Sequence, residues 1–166
     1  ENHLPYCSAV CCMGSLKQIR YLREQSENAK ATVFYIDIRT IGRLEKFYYD
    51  MLDDSNVSFV KGKVAKVSED PGSMDLILDV EDTLERNNLH PQFDMVVLAT
   101  GIVPNTAGTD FPVEIQYDEF GFIDGTTHVD GVCAAGCAKR PCDVSRTTKD
   151  ASGAALKAIQ SLKRGV

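Results

Sequence analysis

Several features are missing from this chain of 166 residues, and each absence removes a class of protein. No apolar run approaches the roughly 20 residues that a membrane-spanning helix needs. The 18 basic and 24 acidic residues give a net charge of −6, which indicates no basic surface for nucleic acid. Residues 1–6 have neither a charged n-region nor an apolar h-region, so they predict no signal peptide. Internal repeats, low-complexity tracts and long linkers are also absent.

The chain also lacks the character of a secreted disulfide framework. Its six cysteines stand in an acidic chain with α/β patterning, which favours thiols or metal ligands in a reducing cytoplasm. Three of them fall within six residues, at Cys7, Cys11 and Cys12. An apolar content of 43% is enough for the core of one ordinary domain or two small ones. Because a motif begins almost at once and no Met precedes it, we expect a fragment of a longer protein.

The first hundred residues alternate between helical and strand patterns, which predicts an α/β fold. The run 31–37 is β-branched and aromatic, as is typical of a strand buried in a parallel sheet. Thr40 can cap a helix, and Asp70–Ser73 has the chemistry of a hairpin turn. The predicted elements are helix 15–29, strand 31–37, helix 40–51, a short strand 57–60, alternating strands 64–69 and 74–81, and a fully buried strand 93–99.

The remaining residues have a different character. Residues 102–128 are rich in turn formers and offer one weak strand at 121–124. A short strand of small residues is predicted at 131–136, with Cys133 facing the core. A polar loop with Pro141 leads to a final helix at about 147–163, whose alanines and glycine predict close packing against it.

Two strand-to-turn elements in this part can carry chemistry. Ala99-Thr100-Gly101 brings a strand to a tight turn, where a glycine lets backbone approach a bound group. The segment 131–137 repeats that pattern about thirty residues later, and 143–145 then leads into a helix. A helix N-terminus offers free N–H groups and a positive dipole end to an anion. Each element alone is a weak signal, and their order and spacing are more specific.

The order of these elements and their amino-acid sequences resemble the second half of the two-dinucleotide-domain flavoproteins, the thioredoxin-reductase-like family. A closer resemblance is to the FAD-containing, A-type subunit of heterodisulfide reductase, with its relative in the quinone-interacting membrane-bound oxidoreductase. Four segments carry it: 6–13 (YCSAVCCM), 34–40 (FYIDIRT), 97–101 (VLATG) and 135–143. The implied fold is an incomplete, Rossmann-like two-dinucleotide-binding-domain flavoprotein with a small antiparallel β segment. Residues 1–100 would be a remnant of the inserted nucleotide-binding-like domain, and 101–166 the C-terminal part of the FAD domain.

The resemblance also implies which residues lie near FAD. The wider flavoproteins have a Gly-Asp motif where this chain has Gly136-Cys137, so the carboxylate that would hold a ribityl hydroxyl is missing. The heterodisulfide reductase subunit resembles this chain in having Cys at that position. The residues carried over to FAD are Thr100, Gly101, Gly136, Cys137, Asp143, Val144 and Ser145.

On the same alignment, residues 7–14 replace the Gly-x-Gly-x-x-Gly turn of the nucleotide domain. Without those glycines a pyrophosphate cannot approach the backbone, which argues against NAD binding here. Cys7 and Cys11 are four apart, hence expected on one face of a helical turn, with Cys12 adjacent. A [4Fe–4S] cluster takes four cysteines, and the resemblance implies a fourth one upstream. The alternatives are buried thiols acting as small apolar groups, or a zinc site with His3.

The resemblance implies an oxidoreductase subunit that passes electrons between FAD and iron–sulfur centres. Its partners would be other redox subunits of a multisubunit complex. Peripheral association with a membrane complex and a homodimer are both left open. One rival is a self-contained NAD(P)H-dependent disulfide oxidoreductase, and another is a non-catalytic interaction module that has lost its cofactor. Cys137 and Cys142 could pair as a dithiol, although two cysteines in a loop are insufficient evidence.

We predict that these 166 residues alone are inactive and bind FAD weakly or not at all. The physical reason is that the resemblance puts the glycine-rich pyrophosphate turn of the FAD domain upstream of residue 1. The measurement is the ratio of flavin to protein after purification with added FAD. Stoichiometric flavin on the isolated chain would contradict the prediction.

Overall fold

The computed structural model describes residues 4–106, 108–124 and 131–164. The chain divides into two compact units. The terminal unit combines Glu1–Cys11 with Thr100–Val166, and the sheet unit is Cys12–Ala99. The helices are α1 (Cys11–Gln25), α2 (Glu45–Leu52) and α3 (Val144–Arg164), and the strands are β1 (Ala31–Tyr35), β2 (Val57–Glu69), β3 (Leu76–Asp82), β4 (Asn87–Leu89) and β5 (Gln92–Phe93). The predicted α/β class and the antiparallel segment are confirmed.

The sheet unit is organised around β2. The sheet order is β1-β2-β3-β4, with β5 also paired to β3. β2 runs parallel to β1 as far as the pair Tyr35↔Lys61, and antiparallel to β3 from the pair Gly62↔Asp82 onward. The strands predicted separately at 57–60 and 64–69 are therefore one strand of 13 residues. An irregularity between Val64 and Lys66 shifts its register against β3.

A hairpin turn at Asp70–Ser73 joins β2 to β3, as the sequence predicts. The Asp70 carboxylate accepts a hydrogen bond from the Gly72 N–H at 2.8 Å, and the Asp70 carbonyl accepts one from the Met74 N–H at 2.8 Å. Met74 has φ of 65°, in the left-handed region. This is an Asx-type turn, in which a short carboxylate replaces a backbone acceptor.

The core of the sheet unit contains one side chain from each main helix and several from the strands. Leu16 of α1 and Met51 of α2 are each 1% exposed, and Leu78 and Val80 of β3 are 3% and 2% exposed. Burying a side chain of this size contributes about 1.5–3 kcal/mol to folding. These few positions therefore fix which faces of α1 and α2 are turned inward.

Arg23 closes the C-terminal end of α1. Its guanidinium donates to the carbonyl oxygens of Ser26 (3.2 Å) and Ala29 (2.8 Å), and its Nε lies 2.9 Å from the Asp54 carboxylate. These carbonyls belong to the loop that follows the helix, so Arg23 attaches that loop to the last turn of α1. The Arg23 hydrogen bond, followed by that from the Asn56 N–H, holds the pKa of Asp54 below its ordinary value. The helix ends at Gln25, four residues before the predicted end.

The fully buried strand predicted at 93–99 is wrong beyond its first residue. Only Gln92–Phe93 pairs with β3, and Met95, Val97 and Leu98 are 75%, 68% and 71% exposed. A strand needs a neighbour for its backbone N–H and C=O groups, and none of the described residues supplies one to 94–99. The apolar composition of 93–99 therefore predicted a strand, but among the described residues 94–99 have no neighbouring strand to pair with.

Among its described residues, the terminal unit contains little regular structure apart from α3. The most buried of its described side chains is Phe122, at 1% exposed, and Cys142 is also buried, at 5%. Tyr117 and Ile123 form an isolated antiparallel bridge where the weak strand was predicted. The small-residue strand predicted at 131–136 is wrong, since those residues are irregular and Cys133 is exposed. Of the turn-rich stretch predicted at 102–128, residues 107 and 125–128 lie outside the described ones.

The helix α3 begins at Val144, three residues before the predicted start. Its glycine was expected to mark close packing, but a Cβ added at Gly153 would meet nothing within 4 Å. Leu156, Ile159 and Leu162 are 55%, 50% and 81% exposed. Within the described part of the chain, no helix has both the length and the apolar character that crossing a bilayer requires.

Gly62 is the residue at which β2 changes from its parallel partner β1 to its antiparallel partner β3, and a substitution there tests how that change is accommodated. A Cβ added at Gly62 would collide with the backbone carbonyl oxygen of Glu81, whereas one at Gly14 in α1 would meet nothing within 4 Å. We predict that Gly62→Ala lowers the free energy of unfolding by about 1–3 kcal/mol, because backbone must move. Gly14→Ala, the matched control, should raise it by about 0.5–1 kcal/mol. Chemical unfolding followed by circular dichroism measures both, and equal effects would contradict the prediction.

Candidate functional site

The segment that precedes the cysteine run is held against the Thr100–Ile102 turn. The Tyr6 hydroxyl donates to the Ile102 carbonyl at 2.9 Å, and the Ile102 N–H donates to Ser8 Oγ at 2.8 Å. Ser8 is only 4% exposed. The Tyr6 ring packs on Phe120 and Phe122, with centroids 4.9 and 5.5 Å away. Two hydrogen bonds and two ring contacts thus fix this segment within the terminal unit.

Gly101 is required by this packing. Its φ is 87°, and a Cβ there would lie 2.6 Å from Ser8 Oγ and 2.8 Å from Leu4 Cδ1. The sequence assigned the space beside this glycine to a bound group, whereas the nearest atoms belong to the chain itself. Thr100 and Gly101 are nevertheless exposed on their other side. A role at FAD for this pair stays a prediction.

The helical turn expected to place Cys7 and Cys11 on one face is wrong. α1 begins at Cys11, and Ala9 has φ of 59°, which reverses the chain before the helix. The Ala9 N–H donates to Cys7 Sγ at 3.3 Å, a local bond that competes with helix formation. Cys7 is exposed and Cys11 half-buried. The backbone between them is therefore bent and not helical.

The cysteine run assembles no metal-ligand group within the described residues, which contain no cluster of three or more His, Cys, Asp or Glu side chains able to hold a metal ion. Cys12, in the sheet unit, is half-buried and donates from Sγ to the Asp37 carbonyl at 3.8 Å. His3, the fourth ligand of the zinc alternative, lies outside the described residues. Three thiols are one fewer than a [4Fe–4S] cluster takes, so the described residues by themselves do not fit one.

The first turn of α3 is organised by Asp143. Asp143 Oδ1 accepts a hydrogen bond from the Arg146 N–H at 2.8 Å, as an N-cap carboxylate does. The Asp143 carbonyl also accepts one from the Thr147 N–H at 2.9 Å. Val144 and Ser145 are exposed, and their N–H groups have no acceptor within the helix. The helix end thus keeps two donors and a positive dipole end for an anion.

Gly136 is attached to the same helix one turn further along. Its N–H donates to Asp150 Oδ2 at 2.8 Å, and its φ is 62°. A Cβ there would lie 2.7 Å from Thr147 Cγ2. Lys139 Nζ lies 3.1 Å from Asp150 Oδ1, with both side chains about a quarter exposed (25% and 23%). A glycine is needed here because the backbone of the loop lies so close to the Thr147 side chain of α3 that no Cβ fits between them.

Asp150 is charged in this arrangement. The hydrogen bond from the Gly136 N–H, and then that from Lys139, hold the pKa of its carboxyl below the ordinary value. Because the folded-state pKa is lowered, the resulting stabilisation is complete above the ordinary carboxyl pKa, near 4, and is lost as the pH falls through the folded-state value. The attachment of the Gly136 loop to α3 therefore persists at neutral pH.

Two thiols face one hydroxyl beside this loop. Thr147 Oγ1 lies 3.2 Å from Cys142 Sγ and 3.9 Å from Cys137 Sγ, and Cys137 Sγ also donates to the Cys142 carbonyl at 3.5 Å. Cys137 is half-buried and Cys142 is buried. The structure therefore brings together two cysteines that the sequence left as an open pair.

A shallow, mostly cationic concavity of about 490 Å³ adjoins these groups. Three basic side chains line it, against one carboxylate. The lining residues are Arg140, Pro141, Cys142, Arg146, Lys149 and Asp150. Arg146 is partly balanced by Asp143, whose Oδ2 lies 3.7 Å from the Arg146 Nε. The positive charge that suits an anionic group such as a phosphate therefore comes mainly from Arg140, Lys149 and the two free N–H groups at the adjacent helix start.

The residues predicted near FAD fall into two clusters. Gly136, Cys137 and 143–145 gather at the first turn of α3, and Thr100–Gly101 lies against Tyr6 and Ser8. The Ile123 N–H donates to the Ala138 carbonyl at 2.8 Å. This bond connects the loop after Gly136 to the segment that contains the buried Phe122. Sequence reasoning missed Ser8, Thr147 and Asp150. Recognising Asp143 as an N-cap would have placed Thr147 in the first turn, and Asp150 one turn later on the same face.

Comparison with known proteins gives relatives by sequence over nearly the whole chain. The chain is 30% identical over 172 residues to an A-type iron-sulfur subunit of CoB–CoM heterodisulfide reductase from Methanopyrus kandleri, covering 97% of this chain and 26% of that protein. It is 33% identical over 172 residues to the A-type subunit of the H2/formate:CoB-CoM heterodisulfide,ferredoxin reductase of Methanococcus maripaludis, again covering 97% and 26%. With the A-type subunit of ferredoxin:CoB-CoM heterodisulfide reductase of Methanosarcina acetivorans it shares 34% over 163 residues, covering 92% and 20%.

The chain thus spans about a quarter of the length of the curated relatives it matches. The resemblance to the A-type subunit of heterodisulfide reductase predicted from the sequence is confirmed. No protein-family model matches the chain. Among solved structures, thioredoxin reductase from Streptococcus pyogenes aligns with a TM-score of 0.48 at 18% identity, covering 91% of this chain and 50% of that one.

Gly101 offers a test of the contact with Ser8. We predict that Gly101→Ala lowers the free energy of unfolding more than Gly108→Ala does, by about 1–3 kcal/mol, because the added methyl meets Ser8 Oγ. Gly108 is the matched control, with φ of 86° and nothing within 4 Å of an added Cβ. Both variants bear the cost of a left-handed alanine, about 1–2 kcal/mol. Chemical unfolding of the two measures the difference, and indistinguishable midpoints would contradict the prediction.

Proposed function

We propose that the protein containing this chain is an electron-transfer flavoprotein subunit of a heterodisulfide-reductase-like complex. The observation that carries the proposal is the similarity, over 97% of the chain, to a quarter of the A-type subunit from heterodisulfide reductases. Those relatives are named as subunits of reductases, and two of the names include ferredoxin. The whole protein would be an oxidoreductase that passes electrons between FAD and iron–sulfur centres.

The proposed contribution of this chain to FAD binding is the first turn of α3 with the loop from Gly136. The donors at Val144 and Ser145 and the cationic side chains Arg140 and Arg146 fit an anionic group. Cys137 stands where the wider flavoproteins have a carboxylate, and Asp143 orients the helix end. Thr100 and Gly101 would approach FAD from their exposed side. When bound, FAD supplies the electron-transfer chemistry, and the protein supplies position and charge.

The proposed iron–sulfur ligands in this chain are Cys7, Cys11 and Cys12. They are thiols in a short run, and a [4Fe–4S] cluster requires one cysteine more. The proposal therefore includes a fourth ligand from elsewhere in the whole protein. Other redox subunits as partners and a cytoplasmic location are parts of the same proposal, which leaves open both a homodimer and peripheral association with a membrane complex.

The test uses the full-length protein, purified anaerobically. We expect absorbance near 450 nm from flavin, no bleaching by NADH or NADPH, and bleaching by reduced ferredoxin or a reduced partner protein. The absence of a glycine turn at 7–14 is the reason to expect no direct reaction with a nicotinamide nucleotide. Rapid bleaching by NADH would favour a self-contained disulfide oxidoreductase. Absence of flavin and iron after anaerobic reconstitution would favour an interaction module.

Replacing one thiol tests the cluster separately. In the full-length protein, Cys11→Ala should remove one iron–sulfur signal in electron paramagnetic resonance and lower the iron content by about one cluster's four irons, because three ligands do not hold a cluster. Cys133→Ala is the matched control, since Cys133 is an exposed cysteine outside the run. An unchanged spectrum and iron content in the Cys11 variant would identify these cysteines as thiols without a cluster.

A further inference from the structure

Tyr6 and Ser8 both bond to the backbone of one distant residue, Ile102. The Tyr6 hydroxyl donates to the Ile102 carbonyl at 2.9 Å, and the Ile102 N–H donates to Ser8 Oγ at 2.8 Å. The two side chains flank the exposed Cys7 and are 96 and 94 positions away from Ile102. Both backbone hydrogen-bonding groups of Ile102 are therefore engaged by the segment that contains Cys7.

The Tyr6 side chain is itself held in place by a second segment of the terminal unit. Its ring centroid lies 4.9 Å from that of Phe120 and 5.5 Å from that of Phe122, which is 1% exposed. Asp118 Oδ1 accepts hydrogen bonds from the N–H groups of both phenylalanines, each at 2.9 Å. Because the tyrosine ring packs against a turn that is closed in this way, its hydroxyl has few positions to occupy.

The two sides of the Thr100–Ile102 turn differ. On the inner side, Ser8 and Leu4 fill the position that a Cβ of residue 101 would take, and Ser8 is 4% exposed. On the outer side, Thr100 and Gly101 are exposed. The bonds from Tyr6 and to Ser8 fix the two peptide planes that flank Ile102, because one uses its carbonyl and the other its N–H. They therefore also fix how the turn presents its outer side.

Two hydroxyl groups are more than the packing of this inner side requires. Apolar side chains could fill the same space without losing the hydration that a buried hydroxyl gives up, and a hydrogen bond replaces that hydration with only a modest net gain. What the two hydroxyls add is direction, since a hydrogen bond weakens steeply when its angle changes. Residues of this kind hold a functional site in a fixed geometry without touching the bound group.

We propose that Tyr6 and Ser8 are positioning residues, which orient the Thr100–Ile102 turn for the group that binds on its exposed side. This inference rests on the proposed function, in which that group is FAD. Both residues act through the backbone of Ile102, from the inner side of the turn. Loss of either hydroxyl should leave the chain folded but let the turn adopt several orientations, so that FAD has to order it on binding.

The test uses full-length protein from which flavin has been removed and to which FAD is returned by titration, followed by flavin fluorescence. Ser8→Ala and Tyr6→Phe should each raise the dissociation constant of FAD about 3–10-fold, the ratio that corresponds to one hydrogen bond. Tyr6→Phe keeps the ring that packs on Phe120 and Phe122. Tyr117→Phe is the matched control, because the Tyr117 hydroxyl donates an equivalent bond of 3.1 Å to the Thr106 carbonyl. Its dissociation constant should equal that of the wild type, and circular dichroism checks that all three variants fold.

Hydrogen exchange at the Ile102 amide separates the outcomes. Ser8→Ala should speed this exchange, since the amide loses its acceptor, and unchanged exchange would overturn the proposal. Faster exchange with an unchanged dissociation constant would also overturn it, because the contact would then serve stability alone. Equal weakening of FAD binding in the Tyr117 variant would contradict it by showing a general loosening of the unit. These results leave the proposed function intact, whereas wild-type protein that binds no FAD would overturn both.

Discussion

The sheet unit depends on one strand serving two partners of opposite direction. β2 pairs parallel with β1 through Lys61 and antiparallel with β3 from Gly62. The change is possible because Gly62 has no Cβ to meet the Glu81 backbone. The parallel pair requires a helical crossover, which α2 supplies, whereas the antiparallel pair requires only a turn. The order of elements in this unit follows from the change of partner along β2 at Gly62.

The terminal unit is organised in a similar way by two glycines, each of which lets another part of the chain approach. Gly101 accommodates Ser8, and Gly136 accommodates Thr147. In a nucleotide-binding protein such glycines are usually explained by a bound pyrophosphate or flavin. Here the nearest atoms are side chains of the same unit, and the surfaces left exposed are Thr100, Val144 and Ser145. A cofactor proposal has to use those exposed surfaces, because the glycine faces are already filled.

Local patterns in the sequence predicted what local interactions decide. The β-branched run predicted β1, although the strand ends at Tyr35 and is half-buried instead of buried. The Asp70–Ser73 turn was correct because its own carboxylate closes it. The start of α1 at Cys11 could not be predicted, since it depends on a left-handed alanine and on Ser8 being held by Ile102, 94 positions away. Contacts of that separation leave no periodicity in the sequence. The resemblance indicated the right relatives, but it could not show that the Thr147 hydroxyl contacts the sulfurs of both Cys137 and Cys142.

The segment 94–99 has a consequence for handling the chain in solution. Met95, Val97 and Leu98 are mostly exposed, and Asp94 is the segment's one charged residue. Short apolar stretches with unpaired backbone groups add readily to the same stretch of another molecule, as edge strands do in aggregates. Protein made from these 166 residues alone should therefore associate increasingly as its concentration rises. Lysine in place of Val97 or Leu98 is the natural gatekeeper, since charge opposes such pairing.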